Sequence, residues 1–230
     1  MLSAALTRRS YSAMLERFIQ AICTDDAGIE ALAETRERLK GSFALGATRR
    51  MTQLGMVVGA ALNKIVPAAD DTLVYASTYA ESRSLESYLD SFPTASPTLF
   101  QTSIHPSGAQ QALIGKQRSL GEVFSHSGVD QLPSQALLTA LLAPAPRVIL
   151  CGGEERGGWL VNFYSAQDRT FGYALALSRE PGPAPLGRLA LIPSEETGKM
   201  TQSAWFDLLH HRRALDGMIA LGWRLQLSWS

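Results

Sequence analysis

The sequence predicts an α/β fold, and three observations support this prediction. In the middle of the chain, short apolar segments of strand length alternate with longer segments of helical spacing. The last segment, Trp223 to Trp229, has an apolar residue at every second position, which is typical of a half-buried strand. The composition, with 46% hydrophobic and 18% charged residues in a chain of 230, is that of a globular protein with a substantial core.

The N-terminal part of the chain shows helical periodicity. Segments Ser12 to Cys23 and Ile29 to Leu39 carry apolar residues at three- and four-residue spacing, and Thr24 to Asp26 between them is suited to a helix cap. After the basic pair Arg49 and Arg50, the stretch MTQLGMVVGAALNKI is apolar over most of its circumference. This stretch predicts a buried packing helix.

The middle of the chain predicts strands that alternate with helices. Pro106 opens one of these helices and Pro133 another, and both suit the first helical turn. Strands separated by helices of this length predict βαβ units and a mostly parallel sheet. The predicted strands are Thr72 to Ser77, Leu120 to Ser125 and Arg147 to Cys151, and the predicted helices are Glu81 to Phe92, His105 to Arg118 and Gln131 to Ala143.

After Gly158 the pattern changes to successive short strands joined by polar turns, which predicts a meander appended to the α/β part. A last helix is predicted before the terminal strand. The predicted strands are Trp159 to Ser165, Thr170 to Leu177, Arg188 to Pro193 and Trp223 to Trp229, and the predicted helix is Thr201 to Leu221.

Charge, cysteine content and hydropathy exclude several classes of protein. The 21 basic and 21 acidic residues cancel, so the sequence lacks the electrostatic signature of binding to nucleic acid or an anionic membrane. Two cysteines, Cys23 and Cys151, cannot form a disulfide framework or a four-ligand zinc site, and Cys151 is predicted to be an inert buried thiol. No apolar run approaches the roughly 20 residues that a bilayer requires, and the N-terminal arginines follow a run too short for a secretory signal. We therefore expect a cytoplasmic protein with no membrane span, no metal and no other cofactor.

Three motifs contain residue types used in catalysis or ligand binding, and none is a complete site. Neighbouring His210 and His211 point about 100° apart on a helix, which predicts a solvated face rather than a shared metal. The segment GGEERGG lacks nucleotide-binding spacing, and its glutamates would repel a phosphate, so a tight turn with close backbone approach is predicted. The segment Phe124 to Gly128 lacks the GxSxG spacing, and adjacent Ser125 and His126 would face opposite ways on a strand.

Several segments, taken in order, resemble the N-terminal half of a β-ketoacyl synthase, a condensing enzyme of the thiolase-like fold. TRRMTQLGMVVGAAL resembles the family's Arg-rich lead into its first buried helix, and LVYASTYAE resembles the strand and small-residue turn that follow. SPTLFQTSIHPSGAQQALIGK is similar to the family's region SP..F..SVHN..A, with Pro106 where asparagine is usual. LGEVFSHSG, its helix and VILCGGEE resemble the nucleophile strand, the nucleophile helix and the next strand. The resemblance covers about Thr48 to Glu155 and continues more weakly to about Leu191.

This resemblance implies a truncated thiolase-like fold, with a mixed sheet and flanking helices. It implies a single domain over residues 1–230. Within it, residues 1–47 form a lead-in, residues 48–191 form the ketosynthase-like core, and residues 192–230 form a terminal helix and strand.

The resemblance also implies that the catalytic residues of the family are missing. In active members a cysteine begins the nucleophile helix, and counting back from Gly152 and Gly153 puts the equivalent position at or beside Ser127. The family's catalytic histidines lie in the second half of the fold, which a chain of this length is expected to lack. The sequence is therefore similar to a chain-length factor, the inactive partner of a ketosynthase in type II polyketide synthases, in the short form encoded with aryl polyene pathways.

A chain-length factor implies a heterodimer with an active ketosynthase, which reaches the acyl carrier protein through the complex. The strand before the nucleophile position would pair across the interface, and its end would line or cap the partner's acyl tunnel. Two alternatives are a small acyltransferase or hydrolase that uses Ser125 or Ser127 with a histidine, and a structural scaffold that does not touch the acyl chain. Each residue of this strand fits either the core or the interface. The candidates for interface and tunnel are Glu122, Val123, Phe124, Ser125, His126 and Ser127, and no residue is assigned to catalysis, a cofactor or a metal.

Overall fold

In the part of the chain that the structure describes, an eight-stranded mixed sheet carries helices on both faces. The computed structural model describes residues 14–104 and 106–230. The strands are β1 (Leu15–Gly28), β2 (Thr72–Ser77), β3 (Glu122–Ser127), β4 (Arg147–Glu154), β5 (Thr170–Ser178), β6 (Gly187–Pro193), β7 (Leu215–Ala220) and β8 (Trp223–Trp229). The α-helices are α1 (Leu32–Leu39), α2 (Gln53–Ile65), α3 (Ser82–Asp90), α4 (Pro97–Thr102), α5 (Ser107–Gly115), α6 (Leu132–Leu142) and α7 (Gln202–His210), and 3₁₀ helices span Lys40–Ser42, Ala47–Arg50 and Trp159–Phe163.

The strand order is β3-β2-β4-β5-β1-β6-β8-β7, and parallel pairing is confined to one end of the sheet. There β2 lies between β3 and β4 and runs parallel to both, as the predicted βαβ units require. Every other neighbouring pair is antiparallel. The sheet is therefore mixed, as the resemblance implied. The expectation of a mostly parallel sheet is wrong because β1 and the strands after β4 join the same sheet in antiparallel pairs.

Two apolar layers cover the sheet. On one face α2 and α5 pack over Leu73, Tyr75 and Cys151, and on the other face α6 and α7 pack over Val74 and Leu150. Thr52 caps α2 by accepting the N–H of Gly55 at 2.8 Å. The predicted buried helix is confirmed in α2, which packs its backbone closely against the sheet.

Small residues allow this close packing of α2. A Cβ atom on Gly172 of β5 would lie 2.8 Å from the nitrogen of Val58, and one on Gly108 of α5 would lie 2.9 Å from the Cα of Gly55. Any larger side chain at these two positions would push α2 away from its neighbours.

The N-terminal segment predicted as a helix over Ser12 to Cys23 is the long strand β1, and residues 12 and 13 of the prediction lie outside the described residues. β1 pairs with β5 on one side and β6 on the other, so its backbone hydrogen bonds are satisfied across the sheet. Its buried Arg17 donates to the carbonyls of Ala143, Ala145 and Pro146 at 2.6 to 3.1 Å. Long-range pairing therefore overrides a local helical spacing.

Two predictions after β4 are also wrong. The strand expected at Trp159 to Ser165 is the 3₁₀ helix Trp159–Phe163. The helix expected over Thr201 to Leu221 ends at His210, and Arg212 then adopts a left-handed conformation with φ of 48°. The second half of that segment is β7, which pairs with β8. The terminal strand Trp223–Trp229 is confirmed, with Leu225 and Leu227 buried.

Candidate functional site

The predicted interface strand lies at one edge of the sheet. The structure places it at Glu122–Ser127, two residues later than Leu120 to Ser125, and β2 is its one strand neighbour in the described part of the chain. Five of its six residues are exposed and His126 is partly buried. The exposed fractions of Val123 and Phe124 are 52% and 39%, which is high for apolar side chains in a strand.

The register with β2 assigns each β3 side chain to a face. Phe124 pairs with Val74 and His126 with Ala76, so both point to the face covered by α6. Val123, Ser125 and Ser127 point to the other face. The prediction that Ser125 and His126 face opposite ways is therefore confirmed, and His126 cannot activate either serine.

The environment of His126 disfavours its charged form. Burial lowers its pKa below the ordinary value, and its Nε2 atom is buried without a hydrogen-bond partner in the described residues. His210 lies far along the sheet order, where its Nδ1 is 3.0 Å from Thr24 Oγ1 of β1, and His211 adjoins it on the exposed end of α7. His105 lies outside the described residues. Within residues 14–104 and 106–230, neither serine of β3 has a histidine placed to act as its base.

The helix predicted at Gln131 to Ala143 is confirmed as α6 (Leu132–Leu142), and the nucleophile position obtained by counting does not lie at its start. Ser127 is the last residue of β3, and α6 begins only at Leu132. The residue that precedes the helix is Gln131, whose φ of 58° is an unusual left-handed conformation for a residue with a side chain. At neither Ser127 nor Gln131 does the chain have a cysteine.

Neither thiol is activated as a nucleophile. Cys151 is fully buried in β4, and burial raises its pKa far above the ordinary value, which confirms the predicted inert thiol. Cys23 in β1 is partly buried, and burial raises its pKa as well. A thiolate is the reactive form of cysteine, so neither residue provides one near neutral pH.

The segment GGEERGG is not a turn at its start, because Gly152 and Gly153 continue β4. The close backbone approach is confirmed: a Cβ on Gly152 would lie 2.0 Å from the carbonyl oxygen of Ala76, and one on Gly153 would lie 2.2 Å from that of Phe171. The strand therefore needs both glycines to fit between β2 and β5.

Two buried glutamates at the end of β4 hold neighbouring segments, a role that sequence reasoning missed. Glu154 accepts the backbone N–H groups of Thr78 and Tyr79, which fixes the turn after β2. Glu155 accepts the N–H groups of Gln53 and Leu54 at 3.3 and 3.1 Å, at the positive end of α2. Burial raises the pKa of each carboxyl to about 7.

A third buried glutamate holds the 3₁₀ helix Trp159–Phe163. The Glu86 carboxylate accepts the N–H of Gly158 at 2.8 Å and that of Trp159, and it pairs with Arg83. Burial alone would raise its pKa, but these donors hold the pKa of Glu86 below the ordinary value. In the sequence, Glu154 and Glu155 stand out because they follow two glycines, and Glu86 lies in a predicted helix. Nothing in the neighbouring sequence shows which backbone N–H groups these carboxylates bind.

A cleft of about 820 Å³ opens beside these glutamates. It is bordered by α1, the 3₁₀ helix Ala47–Arg50, α3, α4 and the segment after β4, and arginines dominate its polar lining. No residue of β3 lines it among the described residues. In that same part of the chain, no group of three or more histidine, cysteine or acidic residues is arranged to hold a metal, and no helix is long and apolar enough to cross a membrane.

Comparison with known proteins places the fold. No protein-family model and no curated protein matches the chain. The structure is similar to a chain of the complex of the ketosynthase ApeO with its chain length factor ApeC from Xenorhabdus doucetiae, with a TM-score of 0.63 and 19% identity over 92% of this chain and 99% of that chain. It is also similar to a chain of the ishigamide ketosynthase/chain length factor, with a TM-score of 0.54 and 11% identity over 77% of this chain and 67% of that chain.

These similarities confirm the predicted fold class. The chain has a truncated thiolase-like fold of the ketosynthase type, and the resemblance to ketosynthases and chain-length factors is confirmed at the level of the fold. At this identity the similarity concerns the arrangement of strands and helices.

Proposed function

We propose that this protein is a non-catalytic subunit of the chain-length-factor type, which forms a heterodimer with an active β-ketoacyl-carrier-protein synthase. The observation that carries the proposal is the outer edge of β3, where a strand with exposed Val123 and Phe124 ends the sheet of a ketosynthase-like fold. A strand from a second subunit would satisfy the outward backbone groups of this edge and bury both apolar side chains.

The surrounding surface supports association at this end of the sheet. The segments that connect β2 to β3 and the loop after β3 expose many large apolar side chains. Exposed apolar surface of this extent is typical of an interaction face. These exposed residues are Leu85, Leu89, Phe92, Phe100, Ile104, Ile114 and Val129.

The chemistry of the described residues supports a non-catalytic role. Both thiols have raised pKa values, and the serines of β3 lie on the face opposite His126. Catalysis and contact with the acyl carrier protein then belong to the heterodimer, with the partner supplying the nucleophile.

The position of the β3 side chains supports a role in shaping the product. Phe124 and His126 lie on the face of the sheet that α6 covers, and Val123, Ser125 and Ser127 project on the other side. In the proposed heterodimer, side chains on one of these two faces line the partner's acyl tunnel and limit the length of the product.

Coexpression with a ketosynthase of the same genome tests the heterodimer. We expect the two chains to copurify, and we expect Val123→Lys to abolish copurification because a charge at the strand edge opposes pairing. The matched control is Leu221→Lys, which changes a 63%-exposed residue next to β7, at the opposite edge of the sheet. A monomeric wild-type chain that ignores the ketosynthase would refute the proposal.

Product length tests the contribution to the tunnel. Phe124→Ala should lengthen the product if Phe124 closes the tunnel, and Ser125→Trp should shorten it if the serine face does. If both variants form an intact complex and the product length is unchanged, the chain is a structural scaffold that does not touch the acyl chain. Loss of acyl turnover in Ser125→Ala with Ser127→Ala, with the complex still assembled, would instead support the serine-dependent enzyme.

A further inference from the structure

The cleft between α1, α3, α4 and the segment after β4 concentrates positive charge in a chain whose net charge is zero. Five arginines line it against three carboxylates among the described residues. Its volume of about 820 Å³ lies within the range of small-molecule sites, which is about 300–1,000 Å³. The arginines are Arg36, Arg49, Arg50, Arg83 and Arg156.

Arg83 is paired with Glu86, but the described carboxylates that line the cleft do not pair with Arg49, Arg50 or Arg156. Glu30 forms an ion pair with Arg38, which lies outside the cleft lining, at 3.0 Å. Glu155 is engaged by the first N–H groups of α2. Within the described residues, the exposed guanidinium groups of Arg49, Arg50 and Arg156 have no ion pair or hydrogen bond, and Asp168 is paired with none of them.

Fixed contacts hold the walls of the cleft. Arg36 donates from Nε to the carbonyl of Thr48 at 3.1 Å, which ties α1 to the 3₁₀ helix that carries Arg49 and Arg50. Glu86 of α3 accepts the backbone N–H of Gly158, which ties α3 to the segment after β4. These hydrogen bonds hold the backbone segments that carry the arginines. A cleft that is held in place before the ligand arrives loses less conformational freedom on binding.

Apolar side chains form the remainder of the lining. Ile29 has an exposed fraction of 78% and Leu32 is also exposed, while Leu99 and Val161 are partly buried. A purely ionic ligand would leave this apolar surface in water. A ligand with an anionic head and an apolar tail would cover both parts.

We propose that this arginine cleft binds a phosphate ester that carries an apolar chain. Guanidinium groups recognise phosphate oxygens in pairs of parallel hydrogen bonds, and three unpaired guanidinium groups in one cleft favour a group with several anionic oxygens over a single carboxylate. β3 contributes nothing to the described lining, so the cleft is separate from the strand edge that the proposed heterodimer would pair.

Isothermal titration of the full-length chain with octyl phosphate tests this inference, with inorganic phosphate and octanol as probes of the two halves of the ligand. Octyl phosphate should bind more tightly than either probe, and added salt should weaken its binding. The double variant Arg49→Ala with Arg50→Ala should weaken binding of octyl phosphate by at least about tenfold, because it removes charge-assisted hydrogen bonds. The conservative variant with lysine at both positions should retain part of the affinity.

Arg213→Ala is the control for loss of surface charge, because Arg213 is exposed beyond the end of α7 and its substitution removes one positive charge outside the cleft, against two in the double variant. Ile29→Ser with Leu32→Ser should weaken binding of octyl phosphate and leave that of inorganic phosphate unchanged. A loss of affinity for octyl phosphate in the Arg213→Ala control equal to that in the double variant would overturn the inference. So would a cleft that rejects octyl phosphate but binds a purified acidic carrier protein through Arg49 and Arg50.

Discussion

The substitution Glu155→Gln should remove a pH dependence of stability that the wild-type chain carries. Glu155 is 6% exposed and binds the N–H groups of Gln53 and Leu54 at the start of α2. Burial raises the pKa of this carboxyl to about 7, while those N–H groups and Arg83 act to lower it. Glutamine has nearly the same shape and keeps an acceptor oxygen, but it does not titrate.

The sign and size of the effect follow from proton linkage. In the unfolded chain the carboxyl titrates near 4.5, so between that pH and about 7 the folded protein binds the additional proton. The contribution of Glu155 to stability is therefore fully present below pH 4.5 and is lost as the pH rises through about 7. For these two pKa values the free energy of unfolding falls by about 2 kcal/mol between roughly pH 5.5 and roughly pH 8.

Urea denaturation of both proteins across this pH range measures the effect. The difference in unfolding free energy between Glu155→Gln and the wild type should shift by about 2 kcal/mol in favour of glutamine on going from low to high pH. His126, whose lowered pKa makes its own contribution rise with pH, is present in both proteins and cancels in the difference. Parallel pH profiles for the two proteins would refute the assignment of a buried, titrating carboxyl at the start of α2.

Three further predictions concern the packing and the thiols. Gly152→Ala should destabilise the fold by about 3 kcal/mol, because its Cβ would overlap the backbone of β2, whereas Gly41→Ala, with no atom near its Cβ, should change the melting temperature little. Cys151 should react with a thiol reagent only in denaturant, and Cys23 should react only slowly in the folded protein. A timed thiol titration measures both rates, and rapid labelling of both cysteines would contradict their burial. Arg17→Met should cost about 3 kcal/mol in urea denaturation, because it leaves three carbonyls after α6 without their charged donor; an unchanged midpoint would contradict this account.

The elements that sequence analysis predicted correctly share a strong local signal. The helix α2 is apolar around its circumference, β2 and β5 are continuous apolar runs, and β8 alternates strictly. The segment of β1 has the spacing Leu15, Phe18, Ile19 and Ile22, which is helical, and only pairing with β5 and β6 makes it a strand. Local periodicity therefore predicted an element correctly where its apolar pattern is unambiguous, and it failed where pairing in the sheet decides the structure.

The candidate sites divide in the same way. The strand with Val123 and Phe124 could be located to within two residues from its resemblance to the ketosynthase pattern, and the opposite facing of Ser125 and His126 follows from strand geometry. The helix predicted at Gln131 to Ala143 is α6 (Leu132–Leu142), but the family's nucleophile position, counted back from Gly152 and Gly153 to Ser127, falls at the end of β3 and not at the start of that helix.

The sequence by itself determined the α/β class, the buried helix, the absence of a cysteine in the nucleophile region and the strand that the proposed partner would meet. Tertiary structure alone decided that this strand ends the sheet, that Glu154 and Glu155 hold distant backbone segments, and that five arginines line one cleft. The physical reason is the range of the interactions. Composition and period act between near neighbours, whereas an edge, a buried carboxylate's partner and a cleft each depend on segments that are far apart in the chain and meet only after folding.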